Sequence, residues 1–326
     1  MGTPDFALPS LEVLAADYHV VGVVTQPDRP VGRGRVVAPS PVKRTAQRLG
    51  LPVYQPQTLR EPATLQPIVD WRPDVIVVAA FGLILPSALL ELPPAGCLNV
   101  HASLLPRWRG AAPIAAAILA GDAVTGVTLM KMDAGVDTGP VLAQRSELIC
   151  ADDTQATLGA RLARLGANLL RETLPAYLQG ALVARPQPEE GVTYAPPLRK
   201  ADGWLDWSRP AVVLDRQVRA YTPWPGAFTE WQGRQLKVLQ ARPVPEWRGD
   251  VLPGTVVVVD GELGVATGEG ALLLVALQLA GKRPMDGMAF ARGQRDFINS
   301  RLGARGCSAR AGVDGQTVHS RCAAGA

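Results

Sequence analysis

The chain has 326 residues, of which 47% are hydrophobic, 19% are charged and only 5% are aromatic. This composition supplies enough apolar material for one large domain or two smaller domains with aliphatic cores, and it excludes a wholly disordered chain. The net charge of +4 is modest, so it indicates a nucleic-acid partner only where the basic residues cluster.

Cysteine usage and hydropathy exclude further classes of protein. The four cysteines form no Cys-x-x-Cys pair and only three histidines are present, which argues against a structural zinc site and a disulfide scaffold. The apolar run at 75–85 is too short to cross a bilayer, and the sequence shows no secretory signal. We therefore expect a cytoplasmic protein without a membrane partner or a metal.

The first half of the chain, residues 1–179, alternates short β-branched runs with helical stretches. This alternation predicts an α/β domain with a doubly wound, mostly parallel sheet. Helices are predicted at 41–49, with Ser40 as N-cap, at 111–119 and at 153–177. The predicted strands are 19–25, 52–54, 74–80, 97–100, 127–130 and 140–144.

The amino-acid composition of the sequence changes after residue 179. Residues 180–203 are rich in Pro, Gly and Glu and predict a linker. Short strands at hairpin spacing then predict a small antiparallel β-barrel, of the OB-like kind, over 204–302. The Ala-, Gly-, Ser- and Arg-rich composition of residues 303–326 predicts a disordered tail. The predicted strands are 228–231, 236–241, 254–259, 264–267 and 271–279, with helices at 212–221 and 293–302.

The segment 99–110 follows a predicted buried strand, at the end where open α/β sheets bind ligands. Asn99 and His101 are two residues apart, so their side chains point the same way from an extended backbone. An amide can donate to a developing oxyanion, and an imidazole can stabilise that charge or move a proton near neutral pH. The pattern fits equally well a histidine that is only hydrogen-bonded at a strand end.

A Gly-rich turn at 132–140 separates two predicted strands and contains Asp137. In one interpretation Asp137 orients the His101 imidazole and holds a water, as carboxylates do in triad-like groups. In the other, Asp137 is a turn residue that bonds its own backbone. The sequence has no phosphate-binding GxxxxGK[ST] loop and no GxSxG elbow, so Ser103 is not a convincing nucleophile.

Five basic residues and one acidic residue lie between positions 26 and 44, in a loop that contains two glycines. Basic side chains on a flexible loop suit contact with nucleic-acid phosphates. A solvated surface loop is the alternative, but a connection of this length between a strand and a helix is unusual and favours function. The basic residues are Arg29, Arg33, Arg35, Lys43 and Arg44.

Short segments spread over most of the chain form a recognisable set. The segments are GTPDFA (2–7), TQPDRP with GRG (25–34), PSPVK (39–43), NVHASLLPRWRGAAPI (99–114), MDAGVDTG (132–139), TYA (193–195), DWS (206–208), WP (224–225) and GKRPM (281–285). Together they resemble the methionyl-tRNA formyltransferase family. The Asn-x-His-x-Ser-Leu-Leu-Pro core with a later Asp-Thr-Gly resembles 10-formyltetrahydrofolate transferases in general, whereas the basic Gly-Arg-Gly loop is more specific.

The resemblance implies transfer of a formyl group from 10-formyltetrahydrofolate to the α-amino group of methionyl initiator tRNA, without a metal. It implies a cytoplasmic enzyme, which we expect to be a monomer. The catalytic residues of the family fall on Asn99, His101 and Asp137. The folate-contact segment falls on Ser103, Leu104, Leu105 and Pro106. Arg33 matches a loop arginine used near the acceptor end of tRNA, and we expect Arg29, Arg35 and Lys43 to contribute to the same tRNA surface.

Two other functions stay open from the sequence. One is a related transferase or hydrolase that acts on a small-molecule acceptor, against which the basic loop and the second domain argue. The other is a tRNA-binding homologue without catalytic activity, which the presence of Asn99, His101 and Asp137 disfavours.

The resemblance also implies a short apolar strand ahead of the GTPDFA segment, where Met1 stands in this sequence. The first strand of a doubly wound sheet is central, so its loss would expose the edges near 20–24 and 75–80. Either the natural chain starts upstream of Met1, which we expect, or the sheet has rearranged to close the gap.

Overall fold

The structure, a computed structural model, describes residues 1–31 and 36–303. Its buried apolar residues form two units. The first unit has core clusters on both faces of a sheet, and the second has its main core among residues between Leu205 and Leu302. The predicted disordered tail falls on residues outside the described ranges, apart from Gly303.

The helices begin where the sequence offers capping chemistry. Ser40 caps α2 by accepting a hydrogen bond from Lys43 N at 3.0 Å, and Thr154 forms a capping box with Thr157 at the start of α6. Both helices were predicted from the sequence. The helices are α1 Leu8–Asp17, α2 Pro41–Arg48, α3 Pro62–Asp70, α4 Ser87–Leu90, α5 Pro113–Ala120, α6 Gln155–Leu178, α7 Ala211–Ala220 and α8 Gly287–Arg292.

The strands fall on most of the β-branched runs. In the first unit, β6, β8 and β9 are longer than the sequence predicts, whereas β1, β4 and β5 are shorter. For example, the run at 19–25 yields only the two residues of β1. The strands are β1 Val23–Val24, β2 Arg29–Val31, β3 Val36–Ala38, β4 Val53–Tyr54, β5 Ile76–Val78, β6 Cys97–His101, β7 Arg109–Gly110, β8 Val124–Lys131, β9 Val141–Leu148, β10 Tyr194–Ala195, β11 Ala227–Trp231, β12 Arg234–Val244, β13 Val256–Val259, β14 Glu262–Ala266, β15 Ala271–Leu279 and β16 Met285–Asp286.

The first unit is a mixed sheet covered on both faces. Strands β1 and β4 pair in parallel, as do β5 and β6, whereas β6–β8 and β8–β9 are antiparallel. Successive residues of β5 alternate between the two core clusters, as expected for a doubly wound strand. The α/β architecture is confirmed, with more antiparallel pairing than predicted because a short loop, 132–140, joins β8 and β9 directly.

Met1 and Gly2 lie between β1 and β5. Gly2 N donates to Val24 O at 3.1 Å, and Ala79 N donates to Met1 O at 2.9 Å. Beside them is a cavity of about 280 Å³, lined mostly by apolar residues that include 20–24 and 75–77. The Met1 amino group donates to Val77 O at 2.6 Å, and its burial lowers its pKa to about 6.

The gap between β1 and β5 has therefore not closed by rearrangement of the sheet. Within the described residues, β1 pairs in a ladder only with β4, and β5 pairs only with β6. The second edge of each strand borders the cavity, and its bonds to Met1 and Gly2 use Val24 O and Val77 O. Of the two alternatives, rearrangement of the sheet, which was not the expected one, is not observed in the described residues.

The second unit is an antiparallel sheet in the order β11-β12-β15-β14-β13, with β16 beside β15. The antiparallel strands were predicted, but a closed barrel was not found: the end strands β11 and β13 do not pair within the described part of the chain. The predicted helix at 293–302 is also wrong. The Asp286 side chain accepts from Ala289 N at 2.9 Å and starts α8 earlier, and Asn299 has a φ of +68°, which no helix continues through.

An apolar strand added ahead of Met1 should stabilise the first unit. A Val-Ile-Val-Val extension would supply backbone groups to both free edges, fill the cavity and convert the buried ammonium into an uncharged amide. We expect the midpoint of thermal unfolding, measured by calorimetry, to rise by about 5 °C or more. A Gly-Ser-Gly-Ser extension of equal length is the control and should gain much less. Equal midpoints for the two extended chains would contradict the prediction.

Candidate functional site

The predicted residues Asn99, His101 and Asp137 come together at β6. Asn99 and His101 lie on β6, between the parallel strand β5 and the antiparallel strand β8. The loop between β8 and β9 brings in Asp137, whose Oδ1 accepts from Asn99 Nδ2 at 3.1 Å. Its Oδ2 lies 3.6 Å from His101 Nδ1 and accepts from Gly110 N at 2.8 Å.

The local turn chemistry belongs to a neighbouring aspartate. Asp133 Oδ1 accepts from Gly135 N at 3.0 Å and from Thr138 Oγ1 at 2.7 Å, so Asp133 orders its own loop. Asp137 instead bonds groups on β6 and β7. The geometry fits the interpretation in which the Asp137 carboxylate faces Asn99 and His101, and not the one in which it bonds its own turn.

His101 is held at its second ring nitrogen by the backbone. Its Nε2 lies 3.0 Å from Trp108 O, and the residue is only 6% exposed. A proton on Nε2 can be donated to this carbonyl, which leaves Nδ1 as the nitrogen that faces Asp137. The imidazole therefore has a fixed orientation before any substrate binds.

A residue outside the sequence motifs supports the Trp108 carbonyl. Trp108 has a φ of +62°, and its indole Nε1 donates to Asp122 Oδ2 at 2.8 Å. Arg107 donates to both oxygens of the same carboxylate, at 2.9 and 2.6 Å. These bonds to Asp122 raise the pKa of the Arg107 guanidinium. Asp122 was not predicted as a site residue. It follows Gly121, the residue that ends α5, and no motif around it indicates a role in the site.

The segment predicted to contact folate forms a turn whose polar groups are largely bonded inside the protein. Ser103 is fully buried, and its Oγ donates to Arg107 O at 2.6 Å. Leu105 N donates to Thr128 Oγ1 at 3.0 Å, and Gln144 Nε2 donates to Leu105 O at 2.8 Å. The half-buried residues of the segment are Leu104 and Pro106.

Residues 180–203, predicted as a linker, are attached to the candidate site. Strand β10 pairs in parallel with β7, and Trp108 N donates to Thr193 Oγ1 at 2.8 Å. Arg185 and Val141 exchange backbone hydrogen bonds at 2.7 and 2.8 Å. This segment therefore covers the Pro-Arg-Trp-Arg-Gly turn. Its lack of hydrophobic period hid these contacts, because they use backbone groups and short polar side chains.

The basic loop is described on both sides of 32–35. Strands β2 and β3 form a hairpin, with Arg29 exposed at its base. Lys43 Nζ lies 2.6 Å from Asp28 Oδ2, and Gln55 donates to the other oxygen at 2.7 Å. These hydrogen bonds from Lys43 and Gln55 lower the pKa of Asp28. Arg33 and Arg35, expected to contact tRNA, lie outside the described residues.

Other reactive groups near the site are structural. Cys97 is buried at the start of β6, and burial raises the pKa of its thiol to about 11, which removes it as a nucleophile.

In the described ranges, His, Cys, Asp and Glu side chains do not gather in groups that could hold a metal ion. None of the helices in those ranges combines the length and apolar character needed to cross a bilayer.

Solved structures share the fold at low sequence identity. WlaRD, a sugar 3N-formyl transferase, matches 86% of this chain and 97% of its own with a TM-score of 0.63 and 16% identity. HypX from Aquifex aeolicus matches 78% of this chain with a TM-score of 0.58 and 21% identity, and this chain spans 45% of HypX. These likenesses establish the fold alone.

Sequence comparison establishes the family. The family model for formyl transferase matches residues 8–174, and the model for the formyl transferase C-terminal domain matches 197–295. The methionyl-tRNA formyltransferase of Roseiflexus sp. is 48% identical over 321 residues, which are 98% of each chain. That of Myxococcus xanthus is 52% identical over 297 residues, 90% of this chain and 94% of its own. The chain therefore belongs to the formyl transferase family.

Proposed function

We propose that the chain transfers the formyl group of 10-formyltetrahydrofolate to the α-amino group of methionyl initiator tRNA, and so supports translation initiation. The observation that carries this proposal is identity of about half to methionyl-tRNA formyltransferases over almost the full chain. The grouping of Asn99, His101 and Asp137 beside β6 supports it, because these side chains can stabilise the oxyanion and move the proton when an amine attacks a formyl carbon.

In the first step, the neutral amine of the methionyl group attacks the formyl carbon. A C–N bond forms, and the electron pair of the carbonyl moves onto its oxygen. Asn99 Nδ2 donates one hydrogen to Asp137, so its second hydrogen is free for the oxyanion. His101 Nδ1 becomes the second donor once it has accepted a hydrogen, since Nε2 already donates its own hydrogen to Trp108 O.

In the second step, the bond between the formyl carbon and the folate nitrogen breaks. The attacking nitrogen loses a proton and the leaving folate nitrogen gains one, so the products are formyl-methionyl-tRNA and tetrahydrofolate. Asp137 supports this transfer by holding His101 and, with a water, by relaying the proton. The reaction requires neither a metal nor a covalent enzyme intermediate.

We assign folate binding to 103–106 and tRNA binding to the basic loop. Because the Ser103 hydroxyl is bonded internally, the folate contacts of this segment would come from backbone atoms and from Leu104 and Pro106. The tRNA contacts would come from Arg29, Arg33 and Arg35, while Lys43 also holds the hairpin through Asp28. The enzyme would act in the cytoplasm as a monomer.

The assay that tests the function measures formyl transfer from 10-formyltetrahydrofolate to several acceptors. We expect fast transfer to methionyl initiator tRNA and negligible transfer to free methionine or to amino sugar nucleotides. Efficient transfer to a small acceptor would indicate the related transferase. Binding of tRNA without transfer would indicate the catalytically silent homologue.

Removing either acid–base group should abolish most of the turnover. Both His101→Ala and Asp137→Asn should lower kcat by about 100-fold or more, since positioned proton-transfer and oxyanion groups have effects of this size. Binding of tetrahydrofolate, measured by calorimetry, should persist because neither side chain belongs to 103–106. Near-normal kcat in either variant would refute the assigned roles.

The basic loop should affect the binding of tRNA and leave the binding of folate unchanged. Arg33→Ala should weaken binding of methionyl-tRNA, and the slope of log affinity against log salt should fall by about one unit or less if Arg33 contacts one phosphate. Arg48→Ala is the matched control, because Arg48 is an exposed arginine on α2 that pairs with Glu12. If the two variants bind tRNA alike, the loop is an ordinary solvated surface.

A further inference from the structure

The attached segment 180–203 places one side chain directly on the loop that carries Asp137. Gln187 Nε2 donates to Asp137 O and to Gly139 O, both at 2.8 Å. A side-chain amide nitrogen carries two hydrogens, so the two carbonyls use its full donor capacity. Gln187 therefore fixes the backbone on both sides of Thr138.

The amide oxygen of the same side chain is also engaged. Gln187 Oε1 accepts from Arg109 Nε at 3.1 Å and from Arg109 Nη2 at 2.8 Å. Arg109 is buried on β7, and its neighbour Gly110 donates its N–H to Asp137 Oδ2 at 2.8 Å. Gln187 thus ties the backbone of Asp137 to the strand that holds the Asp137 carboxylate.

Asp137 requires this support because of its backbone conformation. Its φ is +53°, in the left-handed region that residues other than glycine rarely adopt. Such a conformation persists only where surrounding contacts determine it. Asp133 bonds Gly135 N and the Thr138 hydroxyl, but neither of these hydrogen bonds is to a backbone group of Asp137.

Gln187 is itself held in place on both sides along the chain. Two residues before it, Arg185 exchanges backbone hydrogen bonds with Val141 at 2.7 and 2.8 Å. Six residues after it, Thr193 O accepts from Arg109 N at 2.9 Å. The amide is therefore presented to the loop by anchored backbone, as a support for a reactive group requires.

We propose that Gln187 is a positioning residue for formyl transfer and acts through Asp137. By fixing the Asp137 peptide, it keeps the carboxylate bonded to Asn99 Nδ2 and 3.6 Å from His101 Nδ1. The inference rests on the proposed function, since it assumes that Asp137 supports the proton transfer of that reaction.

The substitution Gln187→Glu tests the inference with little change of shape. It keeps acceptors for Arg109 but replaces the donor nitrogen with an oxygen that faces two carbonyls. We expect kcat for transfer to methionyl-tRNA to fall about 10- to 100-fold, because small misplacement of a reacting group has effects of this size. KM for both substrates should change by less than about 3-fold, since the groups that bind them are untouched. The pH profile of kcat should also change.

The matched control is Glu190→Gln, an exposed position in the same segment, which should retain wild-type kcat and pH profile. The Gln187→Asn variant keeps the amide but shortens its reach, so it should lose kcat in the same direction and serves if the glutamate variant does not fold. An unchanged kcat and pH profile in both Gln187 variants would overturn the inference.

A double-mutant cycle separates positioning from general structural damage. In an Asp137→Asn background, Gln187→Glu should cause little further loss, because Gln187 acts through the Asp137 carboxylate. A full additional loss in that background would mean that Gln187 acts by another route.

A crystal structure of Gln187→Glu supplies a readout independent of turnover. The contact between Gly110 N and Asp137 Oδ2 should lengthen or be lost, whereas an unchanged loop would overturn the inference. Failure of the wild-type protein to transfer formyl groups would instead refute the proposed function, and the crystal structures would still test the contact.

Discussion

The Asp137 carboxylate is the point at which separate stretches of the chain meet. One oxygen accepts from Asn99 on β6, and the other accepts from Gly110 on β7 while facing His101. A hydrogen bond to a carboxylate contributes about 1.5–3 kcal/mol, more than a neutral one. Such bonds offset the cost of the left-handed backbone at Asp137, which is on the order of 1–3 kcal/mol.

The same principle operates on the other side of the imidazole. The carbonyl that faces His101 Nε2 belongs to Trp108, which is a second residue with left-handed backbone. Asp122 holds Trp108 by accepting a hydrogen bond from its indole. The two groups that face the His101 ring, the Asp137 carboxylate and the Trp108 carbonyl, thus belong to residues with strained backbone. In each case, hydrogen bonds to a carboxylate hold the residue in place. Strain of this kind concentrates at functional sites, where a group must be oriented before the substrate arrives.

The sheet explains why this site lies where it does. A parallel pair, β5 and β6, meets the antiparallel strands β8 and β9, so a loop returns beside β6 instead of crossing the sheet through a helix. The segment 180–203 then adds β10 beside β7 and covers the site from a second direction. The connection between the two units is therefore also part of the architecture around the candidate active site.

Much of this protein could be predicted from local sequence. The alternation along an extended strand placed Asn99 and His101 on one side, and the Ser40 cap marked the start of α2. These signals need only neighbours along the chain. The strands of the second unit followed from β-branched runs separated by turn residues, and β15 was predicted at its observed bounds.

Other features depended on residues far apart in the sequence. Asp137 bonds Asn99 across 38 positions, and Gln187 reaches the Asp137 carbonyl across 50. The short backbone ladders of 180–203 leave no hydrophobic period, so composition alone resembled a linker. Whether the second sheet closes also depends on how strands pair at its ends, which local propensity does not encode. The sequence by itself determined the chemistry of the reactive side chains and the local elements that carry them. Only the tertiary structure decided which backbone groups orient them, because hydrogen bonds between distant segments form only when both segments are folded.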